Sequence, residues 1–194
     1  MRVFLSILIL IFSFQSWTKA EDISDFEIEG ISIGDSALDF FTKSEILAGK
    51  ASYYKNNKYT PVELTPSFLE TYSDFSFSYK TNDEKYIIER MSGIIDYNNK
   101  DIKNCLKQVD EVANEMSEIF KNYATRSDKS EQIFWGADKT GKSKSTRIAF
   151  TFDTGDIVVV ACYDFSEESG YWDNLNVEVK TVTFADFQRN EAYQ

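Results

Sequence analysis

No histidine occurs among the 194 residues. Its absence removes Ser-His-Asp and Cys-His nucleophile systems and every zinc or iron site built on imidazole. Cysteine is nearly as scarce: Cys105 and Cys162 alone are too few for a structural zinc site. Acid–base chemistry in this chain would therefore rest on carboxylates, as in glycoside hydrolysis. Acids are so numerous, 32 against 21 bases, that no carboxylate pair stands out by position. The net charge of −11 is a field that disfavours general binding to nucleic acid or anionic lipid. Proline occurs only twice, and no repeat, low-complexity run or linker divides the chain.

What is present at the start reads as an export signal. Arg2 supplies a positive flank, and "VFLSILILIF" (Val3 to Phe12) is an apolar run of about ten residues. That is too short to span a bilayer comfortably as a helix. Thr18 and Ala20 are small enough for the −3 and −1 positions of a cleavage site, which places cleavage after Ala20. An uncleaved anchor is the alternative. With no cysteine near this site, a lipid-anchored lipoprotein is not expected. Cleavage removes Arg2 and Lys19 and no acid, leaving 19 bases against 32 acids, a net charge of −13. In an oxidising compartment Cys105 and Cys162 can pair, and closing so long a loop is worth ~4 kcal/mol in the chain-entropy model. Two buried free thiols are the other possibility. No asparagine sits in an N-x-[ST] sequon, which leans towards a bacterial envelope. The expected location is periplasmic or secreted.

The organisation read from the pattern is a signal peptide over residues 1–20, an extended lead-in over 21–34 and a single domain over 35–194. Asp35 or Ser36 can cap a short helix, and Thr42 with Glu45 forms a capping box for a second that ends near Gly49. Tyr59 to Leu64 suggests an edge strand. "DFSFSYK", beginning at Asp74, alternates as a half-buried strand does, "TNDE" turns it, and Tyr86 to Ile95 returns, with a bulge expected at Gly93. From about Lys100 to Tyr123, Cys105, Val109, Val112, Ala113, Met116 and Phe120 recur at helical spacing, so Cys105 faces the core. Four strands follow: Glu131 to Trp135, Lys144 to Phe152, Asp156 to Asp164 and Asn174 to Phe184. "IVVVACY" within the third is apolar on both faces, as a central strand covered on both sides should be. Ala185 to Tyr193 closes the chain as a short helix. The fold class is α+β: an antiparallel sheet packed against one long amphipathic helix, with short N-terminal helices.

"GADKTGKS" (Gly136 to Ser143) matches the phosphate-cradling P-loop at every fixed position. A working P-loop needs a helix to begin at its Lys-Ser, so that backbone N–H groups and the helix dipole hold the phosphate. Here Ile148, Phe150 and Phe152 alternate with Arg147, Ala149 and Thr151, the period of a strand. The segment is therefore expected to be a hairpin tip with Gly141 at positive φ, and no nucleotide or other cofactor is expected.

Charge is unevenly placed around this tip. Arg126 to Arg147 holds six bases and three acids, whereas Asp153 to Glu178 holds seven acids and no base. Lys139, Lys142 and Lys144 are candidate contacts for an anionic partner; alternatively the two regions neutralise each other within one sheet. Trp135, Tyr171 and Trp172 could form an aromatic contact patch, and core packing would explain them equally. Asp164, Glu167, Glu168 and Asp173 are weak Ca²⁺ candidates, since they lack the order of an EF-hand loop.

"FEIEGISIGDSALDFFTKSEI", then the Cys105 helix, then "DKTGKS…CYDFS…DNLNVEV", resembles an uncharacterised family of small exported proteins from marine bacteria. The resemblance covers nearly the whole chain after the signal and implies no activity. "ISIGDSALDFFTKSEI" is also similar, over some fifteen residues, to the I-x-x-G-x-[ST]-x-x-x-[VL] opening of outer-membrane assembly lipoproteins of the SmpA/OmlA type. This chain lacks their lipid-bearing cysteine. The expectation is an exported binding or interaction protein without catalysis, its partner an envelope protein or polysaccharide. The alternatives are a carboxylate-dependent hydrolase acting on envelope or environmental glycans, and a structural envelope protein.

Overall fold

The computed structural model describes residues 22–97, 101–133, 138 and 140–194. The expected signal segment and its cleavage site lie outside these residues. The chain after it does not run on as an extended lead-in. A 3-10 turn at Ile23–Asp25 leads into a small hairpin of β1 (Glu27–Ile28) and β2 (Ile31–Ser32). Glu29 and Gly30, both at positive φ, make the two-residue turn whose twist suits a hairpin. Ile23, Phe26, Ile28, Ile31 and Ile33 are buried, so the segment is part of the core. Its acids point outward and had masked that pattern.

The caps fall where the sequence placed them. Ser36 caps the 3-10 turn Ala37–Asp39, accepting from the N–H of Leu38. Thr42 and Glu45 close a reciprocal capping box on α1 (Lys43–Ala48), which ends at Gly49. Gly49 is required there, because a Cβ would meet the carbonyl oxygen of Glu63 at 2.5 Å.

The remaining strands are β3 (Tyr59–Leu64), β4 (Asp74–Lys80), β5 (Arg90–Asp96), β6 (Ala124–Arg126), β7 (Ser130–Ile133), β8 (Lys144–Phe152), β9 (Ile157–Asp164) and β10 (Asn174–Lys180). They form an eight-stranded antiparallel sheet in the order β3-β4-β5-β10-β9-β8-β6, with β7 also paired to β8. Pro61 sits in the edge strand β3, where a missing N–H is tolerated. The return strand β5 begins later than Tyr86, whose φ of 55° breaks the extended run. Gly93 is not a bulge: it keeps one-to-one register with Phe75 and Val177. It is glycine because the Tyr72 ring crosses it, 2.6 Å from where a Cβ would be.

Helix α2 (Ile102–Phe120) packs Cys105, Val109, Ala113, Met116 and Phe120 against β8, β9 and β10. Phe120 meets Phe150 and Phe152 edge-on, with centroids 5.5 and 5.1 Å away. Over β4 the same side of the sheet is covered by the N-terminal segment, with Phe41 stacked on Phe77 at 5.7 Å. Cys105 and Cys162 are joined, with Cα atoms 5.8 Å apart, pinning the first turn of α2 to β9.

Among the described residues the opposite side of the sheet carries no equivalent layer of helices. Val159 and Ala161 of β9 face it and are only 8% and 2% exposed, so that strand is buried on both faces, as its composition suggested. Strand β10 also stops short of Phe184. Thr181 caps α3 (Val182–Asn190) by accepting from the N–H of Phe184, and Asp156 takes the N–H of Val182 at 2.7 Å. α3 then folds over one end of the open side, where Phe184 and Phe187 pack on Tyr59 and Tyr54.

The disulfide gives a direct test. Thiol titration of denatured, non-reduced protein should find no free cysteine. Reduction should lower chemical stability by ~4 kcal/mol, the entropic worth of closing a loop of this length, read as a shift of the guanidinium midpoint. An unchanged midpoint would show that the bridge constrains nothing.

Candidate functional site

The P-loop-like segment joins β7 to β8 as a hairpin, with Ile133 opposite Lys144. Trp135, Gly136, Ala137 and Lys139 lie outside the described residues. Strand β8, not a helix, begins after Ser143. Gly141 takes φ 72°, as a tight turn demands. Asp138 is only 2% exposed and fills the concavity with its own carboxylate. It accepts from the N–H and hydroxyl of Thr140 (both 2.8 Å), the N–H and hydroxyl of Ser143 (3.0 and 2.7 Å) and the hydroxyl of Ser166 (2.9 Å). The hydrogen bonds from Ser143, then those from Thr140, hold its carboxyl well below the usual carboxylate range. The N–H groups of Thr140 and Ser143, within the motif, are thus already donated to Asp138.

The lysines around this tip are also engaged. Lys142 pairs with Glu168 at 2.6 Å and Lys144 with Glu131 at 3.0 Å. The first of these contacts joins the basic and acidic segments across adjacent loops. Tyr171 and Trp172 remain 54% and 66% exposed. Of the Ca²⁺ candidates, Glu168 is taken by Lys142, and buried Asp173 accepts the N–H of Phe165 at 2.8 Å. Asp164 is pushed up by burial and by neighbouring Asp173. Among the described residues no three acids converge as a metal site.

A broad concavity lies on the open side of the sheet. It is a trough of about 1060 Å³. Strand alternation builds its floor: Leu175, Val177 and Val179 of β10 point to the core, so Asn174, Asn176, Glu178 and Lys180 point into the trough. The same alternation brings in Arg90 of β5, Tyr163 of β9, and Ser145 and Arg147 of β8. Tyr53, Tyr54 and Tyr193 stand on one side, with Phe165 and Tyr171 also lining it.

Glu178 is the centre of this floor. Arg90 Nε and Lys180 Nζ each lie 2.8 Å from one of its carboxylate oxygens. Arg90 also donates to the Ser76 hydroxyl at 2.6 Å, and Lys180 to Gln188 Oε1 at 2.7 Å. Burial pushes the Glu178 carboxyl up, but Lys180 and Arg90 outweigh it and hold the pKa at about 2. Burial, reinforced by Glu178, pushes the Tyr163 phenol up to about 12. The Tyr53 phenol, which donates to Glu63, is likewise raised by burial.

Sequence reasoning singled out Tyr171 on this trough but missed Arg90, Arg147, Tyr163 and Glu178. The usable signal was the polar half of the β10 alternation, which reads as an ordinary solvated face until the neighbouring strands are known.

Comparison of the chain with protein-family models, with curated proteins and with solved structures finds no match.

Two outcomes follow from these carboxylates. Asp138→Ala leaves Thr140 and Ser143 without their acceptor, so protease cleavage within the β7–β8 loop should speed up and the melting temperature should fall. Unchanged cleavage would show the loop to be held by other contacts. Glu178→Gln leaves Arg90 and Lys180 half-buried without their counter-charge and should cost ~3 kcal/mol at neutral pH. The folded pKa of Glu178, about 2, lies below its ordinary 4.5. Its stabilisation is therefore present above about 4.5 and lost as pH falls from there through 2. Over that window Glu178→Gln should lose less stability than wild type, measured by denaturant titration at each pH. Parallel acid profiles would refute the assignment.

Proposed function

We propose that this is an exported, non-catalytic binding protein of the periplasm or extracellular space, and that it binds its partner in the trough on the open side of the sheet. The observation that carries the reading is the trough itself. Its volume suits a small molecule or the tip of a larger one. Its floor holds fixed charges locked to one another, beneath a tyrosine-rich rim. Tyrosine offers large contact area at small entropic cost, together with a hydroxyl for hydrogen bonding.

Export is supported by the N-terminal run and by the disulfide, which belongs to oxidising compartments. Among the described residues no helix is long and apolar enough to cross a membrane. Glycan hydrolysis draws little support from Glu178. A carboxyl held at about 2 has no proton to donate at neutral pH, so it does not serve as a general acid.

Blocking the trough tests the reading. Ala149 lines it from β8, so Ala149→Trp fills part of it. Crosslinking pull-downs from a bacterial envelope fraction should enrich a component with the wild type and lose it with the variant, at equal melting temperature. Equal capture by both would place binding elsewhere and overturn the proposal.

A further inference from the structure

We propose that the trough takes a small organic anion, a carboxylate carried on a hydroxylated ring, with Arg147 holding the carboxylate and the Tyr163–Phe165–Tyr171 wall stacking the ring. The inference rests on the trough being the binding site and names the class of ligand it receives.

Arg147 is the first ground. Three other cations line the trough, and each is engaged: Arg90 and Lys180 by Glu178, Arg189 by Asp186 at 3.0 Å. Arg147 is half-buried, yet among the described residues its guanidinium meets no carboxylate and no hydrogen-bond acceptor. A guanidinium partly stripped of water and lacking a counter-ion is a receptor for one. Its planar fork fits the two oxygens of a carboxylate.

Local charge is the second ground. Arg90, Arg147 and Lys180 face Glu178 on the floor, three cations and one carboxylate, a net of +2. The rim adds Arg189 against Glu63 and Asp128, so the whole lining stays positive by one. The molecule as a whole carries −11. A long polyanion would meet the repulsive outer field along most of its length. A small anion that fits within the trough meets only the positive floor. The balance of charge therefore selects a compact, singly or sparsely charged ligand.

The aromatic wall is the third ground. Tyr163 and Phe165 stack with centroids 5.8 Å apart and planes 14° apart, and Phe165 meets Tyr171 at 5.3 Å. Arg147 pairs with Ala161 and Ser145 with Tyr163, so Arg147 and Tyr163 are diagonal neighbours on one face of adjacent strands. Such diagonals lie ~7–8 Å apart at the backbone, within reach of long side chains. A ring stacked on exposed Tyr171 would carry its carboxylate towards Arg147. Asn174, Asn176, Gln132 and Ser145 are placed to bond hydroxyls on that ring. The volume admits one to a few rings.

A uronic sugar and an aromatic hydroxy acid share this chemistry, and calorimetric titration separates them. The probes are galacturonate, its methyl ester and 4-hydroxybenzoate, against wild type and Arg147→Met. The expected result is binding of at least one acid, with affinity lowered about ten-fold or more by Arg147→Met. The neutral ester should bind more weakly than its acid and be indifferent to the substitution. Preference for galacturonate identifies the sugar source, and preference for 4-hydroxybenzoate the aromatic one. Equal binding of acid and ester, or no effect of Arg147→Met, overturns the anion class while leaving the trough as a site. Failure of every probe to bind at millimolar concentration overturns the ligand class, and the pull-down with the blocked trough then decides the site independently.

Discussion

Strand β10 is the constraint on which the rest of the molecule depends. It is the last strand of the chain, yet it lies between β5 and β9 and joins the early half of the sheet to the late half. Its seven residues, Asn174 to Lys180, pair in unbroken register with both neighbours. Leu175, Val177 and Val179 complete the core beneath α2, while the residues between them floor the trough. A one-residue slip would send valines into the trough and Glu178 into the core. Core and site are thus two faces of a single alternation, and neither can be assembled before the chain is nearly complete.

Charge follows the same division between inside and outside. The acids of the surface lie mostly in loops and on the exposed side of α2, where solvent screens them. In the trough the ratio reverses, because Glu178 must balance both Arg90 and Lys180 and cannot also balance Arg147. Asp138 shows the contrasting arrangement, in which five donors from one local loop and Ser166 satisfy a single buried carboxylate. That carboxylate takes the Thr140 and Ser143 N–H groups from within the sequence motif. The loop closes on itself, and the trough does not. The proposed recognition chemistry therefore resides in the unbalanced cation rather than in the motif.

Much of the fold was legible because it is written locally. Thr42 with Glu45, the helical stripe through Cys105, and the alternation of Ile148, Phe150 and Phe152 each fix an element from neighbours a few residues away. Where local signals were ambiguous, the pattern misled. "KTVTF" is rich in β-branched residues and extends β10 by propensity, but Thr181 and Asp156 supply the acceptors that start α3. The isoleucines of β1 and β2 were hidden among acids, and only their packing under the sheet shows them to be core. The site was less legible still. Arg90 and Glu178 are 88 residues apart in sequence and meet only because β10 inserts beside β5. No spacing within either segment encodes that meeting.

The proposed binding role accords with the protonation states of the trough floor. Proton transfer is most effective from a group whose pKa lies near the working pH. Glu178 is held at about 2 by two cations, and Tyr163 is pushed up to about 12 by burial. With histidine absent, neither shifted group changes charge across the neutral range. Arginine does not change charge there either. The floor therefore presents one constant pattern of charge to whatever enters. In the proposed binding role such a pattern is already arranged before a ligand arrives, and little order has to be created on binding.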